Sequence, residues 1–392
     1  MSGKTGNSLL TLIIILALFA ALWAGKMKPR PDLTRLVRDI FPEATSIELA
    51  NGIYSVFREN NNVKELLGWA APGIGSGYGG PLLSVAGVNT SGKFIGAEVA
   101  EHGETYVFFR MARPKNVFKI LNGKSFKEIT ERNYTLEGTT GASRSFEALI
   151  GSVENAVTKI AGEKFNFLVP ERRKSLEFGF VELALIILFS IGIFASRKKS
   201  SIKENLRWFS QSAGLLIIGF WENSPITIAK ISCFLLGYFP QVHYNLYWYF
   251  LLGGFALTIL VLGENIHCLY VCPFGALQRF IGTIGGANKK MPAWAVKLMV
   301  GLRNYLVLAV VFLVLLTRKP GLASYEPFGV IFTLNGTILL WLLLVIILIS
   351  SLIFNTPWCY YFCPMQACTE IIQSFRQRTK LLWKEKLIKG SR

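Results

Sequence analysis

"NLYWYFLLGGFALTILVLGENIHCLYVCPFGALQ", residues 245–278, carries no charge from Asn245 to Gly263, then presents Cys268 and Cys272 four positions apart with Pro273 directly after the second. The first part is close to the ~20 apolar residues that a helix needs to cross ~30 Å of hydrocarbon. The arrangement has a copy. "WCYYFCPMQACTEIIQSF" (358–375) follows another apolar run and repeats Cys-x-x-x-Cys-Pro at Cys359, Cys363 and Pro364, 91 residues on (359 minus 268). The unit is therefore helix, helix and cysteine segment, present twice in the same orientation. Parallel repeats in membrane proteins are related by an axis along the membrane normal, which would bring both cysteine pairs to one depth.

The same reading extends along the chain. Further apolar runs occupy 9–25, 177–195, 213–237, 299–317 and 337–355, each too long and apolar for a surface helix. The expectation is a membrane α-helical bundle of about six transmembrane helices. The first run resembles a signal sequence, but "FAALWAGKM" is a poor cleavage site, and a retained anchor is expected.

The net charge of +18 points away from nucleic acid once the basic residues are located, because they cluster at helix ends. The segments 196–207, 279–290 and 376–392 are all basic and fall on one side if the helices alternate, which marks that side as cytoplasmic. The basic stretch "KMKPRPDLTRLVR" after the first run opposes this assignment. The expected layout is an anchor at 1–30, an extracytoplasmic α+β domain at 31–170, a five-helix membrane domain at 171–375 and a cytoplasmic tail at 376–392 of a multi-pass inner-membrane protein.

All six cysteines lie in the second half. Cysteines at i and i+4 share a helical face, proline suits the first helical turn, and a helix N-terminus stabilises a thiolate. Cys-x-x-x-Cys-Pro also reproduces the end of the ferredoxin pattern, whose clusters are held by four thiolates. Each copy has two; Cys268, Cys272, Cys359 and Cys363 together make four, with Cys368 a further candidate and Cys233 in the middle of a run. Three readings are open: ligands of an iron-sulfur cluster or other thiolate-bound metal, a dithiol switch, and buried thiols acting as small hydrophobes.

The external segment reads as α+β. It has glycine-rich turns such as "GIGSGYGG" (73–80), strand-like runs "LLSVAGV" and "FIGAEVAE", and a closing helix at "SRSFEALIGSVENAVTKIAG". The hydroxyl-rich "LEGTTGASRSFEAL" ahead of that helix is either a plain cap by Ser143 or Ser145, or a phosphate site at a helix N-terminus.

Here a resemblance adds to the residues. Glu137, Thr140, Gly141, Ala142 and Ser143 resemble the flavinylation motif Asp-x-x-(Ser/Thr)-Gly-Ala-(Thr/Ser) of FMN-binding domains in sodium-translocating NADH:quinone oxidoreductase and Rnf complexes. Upstream, Tyr78, Gly79, Gly80 and Pro81, then His102 and Glu104, are similar to the same domain's glycine turn and "H.E". The resemblance implies FMN, joined through its phosphate to Ser143 by a flavin transferase. Glu137 departs from the usual Asp and Ser143 from the usual Thr.

With the two Cys-x-x-x-Cys-Pro segments, the chain resembles the NosR/NirI family, and most of all its RdhC-type members associated with reductive dehalogenases. "CPFGALQ" (272–278) and "CPMQAC" (363–368) are similar to that family's two copies; a Cys-x-x-Cys-x-x-Cys ferredoxin pattern is missing. The resemblance implies an electron-transfer component rather than a stand-alone enzyme. It would work between the quinone or cytoplasmic pool and an extracytoplasmic respiratory reductase or its maturation system. The rival expectation is a redox-sensing regulatory or assembly protein of the membrane. Glu222, Glu326 and His243 are either quinone-site groups or polar loop ends in an aromatic belt. His267 is either an extra ligand or an ordinary interfacial residue.

Overall fold

The computed structural model describes residues 2–390 except 29–30, 61–62, 78, 105–108, 110–116, 133–142, 169–175, 177, 241 and 243–244; the side chains of 2–11, 143–144, 200 and 381–390 also lie outside the description. The chain divides into two compact units. One comprises Met1–Lys174, Ala229–Phe239 and Phe312–Ser324; the other comprises Ser175–Ile228, Pro240–Val311 and Tyr325–Arg392.

The first unit is built on a five-stranded antiparallel meander in the order β1 (Ser46–Ala50), β2 (Ile53–Asn60), β3 (Val63–Ser76), β4 (Pro81–Asn89), β5 (Phe94–His102). Asn51 and Gly52, both at positive φ (53° and 71°), close the first hairpin with the backbone twist that a two-residue loop needs. Helix α1 (Ser2–Lys26) and helix α2 (Thr34–Ile40) precede the sheet, and α3 (Phe126–Glu131) and α4 (Ser143–Lys164) follow it. Leu149, Ile150, Val153, Val157 and Ile160 recur at helical spacing on α4 and pack on Ile53, Leu82 and Phe94 of one sheet face. Val37 and Ile40 of α2 cover Val56, Ala70 and Val85 on the other. Covered on both faces, β4 needs no polar alternation, which explains the unbroken apolar "LLSVAGV". The FMN-domain expectation of an α+β fold with a closing helix is met.

One detail differs from the sequence reading. Gly73 and Gly75 are not in a turn; they pair with Ser84 and Leu82 as the end of β3, which runs to Ser76, and β4 begins at Pro81. Their glycine character serves a close approach, since a Cβ at Gly73 would overlap the Ser152 carbonyl of α4 and one at Gly75 the Ala148 carbonyl.

The remaining elements are helical. They are α5 (Phe180–Ser196), α6 (Ser200–Gly214, widening into Leu215–Trp221), α7 (Ile228–Leu235), α8 (Leu246–Leu257, widening into Thr258–Leu262), α9 (Pro273–Gly285), α10 (Ala293–Thr317), α11 (Phe328–Thr333), α12 (Ile338–Ser351), α13 (Pro357–Tyr361) and α14 (Pro364–Gly390). The apolar run 213–237, expected as one span, is broken after Trp221. Asn223 takes a left-handed conformation (φ 49°), and Pro225 has no N–H to continue a helix. Among the described residues α10 alone is long and apolar enough to cross a membrane, and only 22% of its most apolar window is buried, unlike a soluble core helix. The apolar segments Leu12–Lys26, Phe180–Ser196, Leu246–Leu262 and Ile338–Ser351 are shorter. On α12, Leu339, Leu342, Ile346 and Ile349 form an exposed apolar stripe, a surface that water does not favour.

Candidate functional site

Two sites were expected. In the first unit, the ladder of β4 and β5 puts His102 opposite Leu82 and brings Glu104 to the mouth of the glycine turn. The Glu104 carboxylate accepts the Gly79 N–H (3.1 Å), Gly77 N–H donates to Gly80 O (3.0 Å), and Gly103 N–H donates to Pro81 O (2.7 Å). His102 stacks on Phe109 at 3.7 Å and 11°. Distant chain segments reach the same turn: the Cys233 thiol of α7 donates to Gly79 O (3.5 Å), and Gly321 N–H donates to Gly103 O (2.8 Å). A Cβ at Gly77 or Gly321 would overlap Glu104, so the turn can be walled this closely only by glycine.

Tyr78, Glu137, Thr140, Gly141 and Ala142, like His243 elsewhere in the chain, lie outside the described residues; Ser143 opens α4, with its side chain outside them as well. Ser145 is informative about the alternative reading of this turn. Its hydroxyl is buried, with the residue 1% exposed, and has no hydrogen-bond partner among the described residues, so it does not cap the helix. A buried orphan hydroxyl in the first turn of a 22-residue helix suits a phosphate, which would satisfy it and the free N–H groups together.

In the second unit, Cys268, Cys272, Cys359 and Cys363 line one cavity with His267, closed by Ile226, Phe274, Phe328, Met365 and Gln366. Each segment turns sharply before its proline. His267–Val271 is a wide turn, Cys272 is the N-cap of α9 with extended backbone, and Pro273 takes the first helical position, where its missing N–H costs nothing. The second copy ends α13 at Tyr361, and Pro364 starts α14 just after Cys363. Cys368 does not line the cavity.

All six cysteines are free thiols. Burial raises each thiol of the two segments, with the neighbouring sulfurs adding to the rise at Cys268, Cys359 and Cys363. Burial also raises the Cys272 thiol, offset by the backbone N–H groups of Gly275 and Phe274 at the α9 N-terminus. Cys368 is pushed up to about 12, mainly by burial and by the Glu326 carboxylate. Thiols raised in this way bind a metal only as their protons leave. His267 is lowered to about 3 by burial, so its imidazole is neutral.

Sequence reasoning missed the groups around the thiols. Asn265 Nδ2 donates to Cys268 Sγ (3.0 Å) and to Thr369 Oγ1 (2.6 Å) of the other segment. Gln278 Nε2 donates to Cys359 Sγ (3.2 Å), and its Oε1 accepts the Trp358 N–H (3.0 Å). Arg303, an ionised group inside the apolar run of α10, was a readable signal; 1% exposed, it donates to Glu370 (2.6 Å) and Tyr360 O (3.2 Å). Glu326, a quinone-site candidate, accepts the Ile228 N–H at the start of α7 (3.2 Å).

Among the described residues no three His, Cys, Asp or Glu side chains converge as a single-ion site. The all-sulfur donor set, its apolar wall and two amide donors fit an iron-sulfur cluster better than a mononuclear metal.

A 4Fe-4S binding domain model matches residues 244–292 and 334–381, the two helix-and-cysteine repeats, and an FMN-binding domain model matches 77–158. The chain is thus a redox flavoprotein, with FMN and an iron-sulfur cluster as its cofactors. It is similar to the regulatory protein NosR of Pseudomonas aeruginosa (25% identical over 215 residues, 51% of this chain and 30% of the relative) and of Stutzerimonas stutzeri (24% over 220 residues, 52% and 30%). It is a NosR-like FMN-binding protein that matches less than a third of each relative's length. No solved structure matches it.

Proposed function

We propose that the chain is a multi-pass membrane component that moves electrons between the quinone or cytoplasmic pool and an extracytoplasmic respiratory reductase or its maturation system. Four cysteines from two segments 91 residues apart (359 minus 268) line one cavity, and that observation carries the reading. Cys268, Cys272, Cys359 and Cys363 would hold the cluster, with Cys368 outside the set. In the outer domain Gly79, Gly80, His102, Glu104 and Tyr78 would cradle FMN. Its phosphate would be joined to Ser143 by a flavin transferase at the motif that includes Glu137, Thr140, Gly141 and Ala142. Bound FMN supplies exchange between one- and two-electron partners. The buried Ser145 hydroxyl supports the phosphate position, and the exposed apolar stripe of α12 supports a bundle of about six spans around α10.

The test is to place the protein in liposomes, supply a quinol and follow flavin and cluster absorbance. Reduction of both within the same turnover is expected; a flavin that stays oxidised while iron is present overturns the electron-transfer role. In-gel fluorescence should show covalent flavin that Ser143→Ala removes. The second reading, a redox-sensing regulator, is favoured by the name that both relatives carry, regulatory protein. It predicts altered expression of a partner system with no quinol-dependent turnover.

A further inference from the structure

We infer that His267 is a hydrogen-bond partner of the cluster, donating an imidazole N–H to a cluster sulfur without ligating iron; this rests on the cluster reading above. His267 is 2% exposed and lines the thiol cavity. Its Nδ1 is buried and has no hydrogen-bond partner among the described residues. The ring lies near-parallel to Phe189 (6.3 Å, 29°) and edge-on to Phe255 (6.0 Å, 90°). Neither phenylalanine can accept an imidazole N–H in the ordinary way, yet the ring always carries at least one.

A residue needed only for packing would be served better by an apolar side chain, because an unpaired buried polar atom carries a desolvation penalty. The cavity removes that penalty when filled with sulfur. The surrounding pattern agrees: Asn265 and Gln278 each direct an amide N–H at a cysteine sulfur, Cys268 and Cys359, so the shell already works by N–H donation. The four thiols suffice for a cubane's four irons, which leaves the imidazole the outer role. Donors to cluster sulfurs favour the more negative, reduced state. His267 therefore positions the cluster's potential.

The experiment uses the full chain in detergent, with histidine labelled by nitrogen-15 in one preparation. Iron and sulfide content, redox titration and pulsed paramagnetic resonance are measured for wild type, His267→Gln and His267→Phe. The expected result is equal iron in all three and a weak histidine-nitrogen coupling in the reduced wild type that both variants lose. His267→Phe should shift the reduction equilibrium at least tenfold toward the oxidised state, 59 mV for a one-electron couple. His267→Gln, which keeps an N–H, should shift it less. Strong nitrogen coupling with iron lost from both variants would make His267 a ligand and overturn the assignment. So would wild type that holds iron but shows no histidine coupling, a measurement that needs no variant to fold. Wild type without iron overturns the cluster reading itself, and this inference with it.

Discussion

The sheet unit and the helical unit build their pockets in opposite ways. Around the glycine turn the positions are set mostly by backbone: the β4–β5 ladder, the Gly77–Gly80 bond and the Gly103–Pro81 bond, with the Glu104 carboxylate and the Cys233 thiol meeting the N–H and the carbonyl of Gly79. Around the thiols the work is done by side chains, with Asn265 and Gln278 spanning the two segments. Damage should therefore propagate differently. The glycine turn should be sensitive to anything that displaces a strand, and the thiol pocket to the loss of a single functional atom.

The largest effect expected is at the thiols. Cys359→Ala should abolish the cluster, read as loss of iron and of visible absorption beyond the flavin bands, while flavin content stays unchanged. Equal loss of both cofactors would erase the contrast between the units. Next is Gly75→Val, which drives a branched side chain into the α4 backbone at Ala148. Overpacking of this kind costs about 3 kcal/mol, and the sheet should melt earlier with the iron content intact. Glu370→Gln leaves the buried Arg303 guanidinium with its bond to Tyr360 O but without a countercharge. Because Glu370 is 43% exposed on its side chain, the cost should be about 1–2 kcal/mol, below that of splitting a fully buried pair. Denaturant unfolding of the helical signal would measure it.

The smallest is Ser125→Ala, which removes the capping box of α3 and should cost the sheet unit about 1 kcal/mol. The box has a pH signature. Hydrogen bonds from the Ser125 backbone N–H and hydroxyl hold the Glu128 carboxyl below its ordinary 4.5. Its contribution is present above that value and is lost as pH falls through the lowered one. The variant should flatten this acid limb in a stability-versus-pH curve.

Much of this was legible in sequence because the informative features were local or repeated. The runs "LLSVAGV" and "FIGAEVAE" read correctly as strands and the segment from Ser143 as a closing helix, and the thiols of the duplicated Cys-x-x-x-Cys-Pro line one cavity. What was not legible depended on chain-distant neighbours. Nothing in "GIGSGYGG" announces that Gly73 and Gly75 lie under α4, because the reason sits at Ala148 and Ser152. Hydropathy carried 213–237 through as one span because apolar content outvoted Asn223 and Pro225. Gln278 stood in the quoted motif, but its partners are Trp358 and Cys359 of the other repeat.

Those two amides have a consequence for how the repeats depend on each other. Gln278 of the first repeat reaches Trp358 and Cys359 of the second, and Asn265 reaches Thr369. Each grip crosses from one copy to the other, so neither copy can drift alone: a change that loosens one cysteine segment is felt at the sulfurs of its twin.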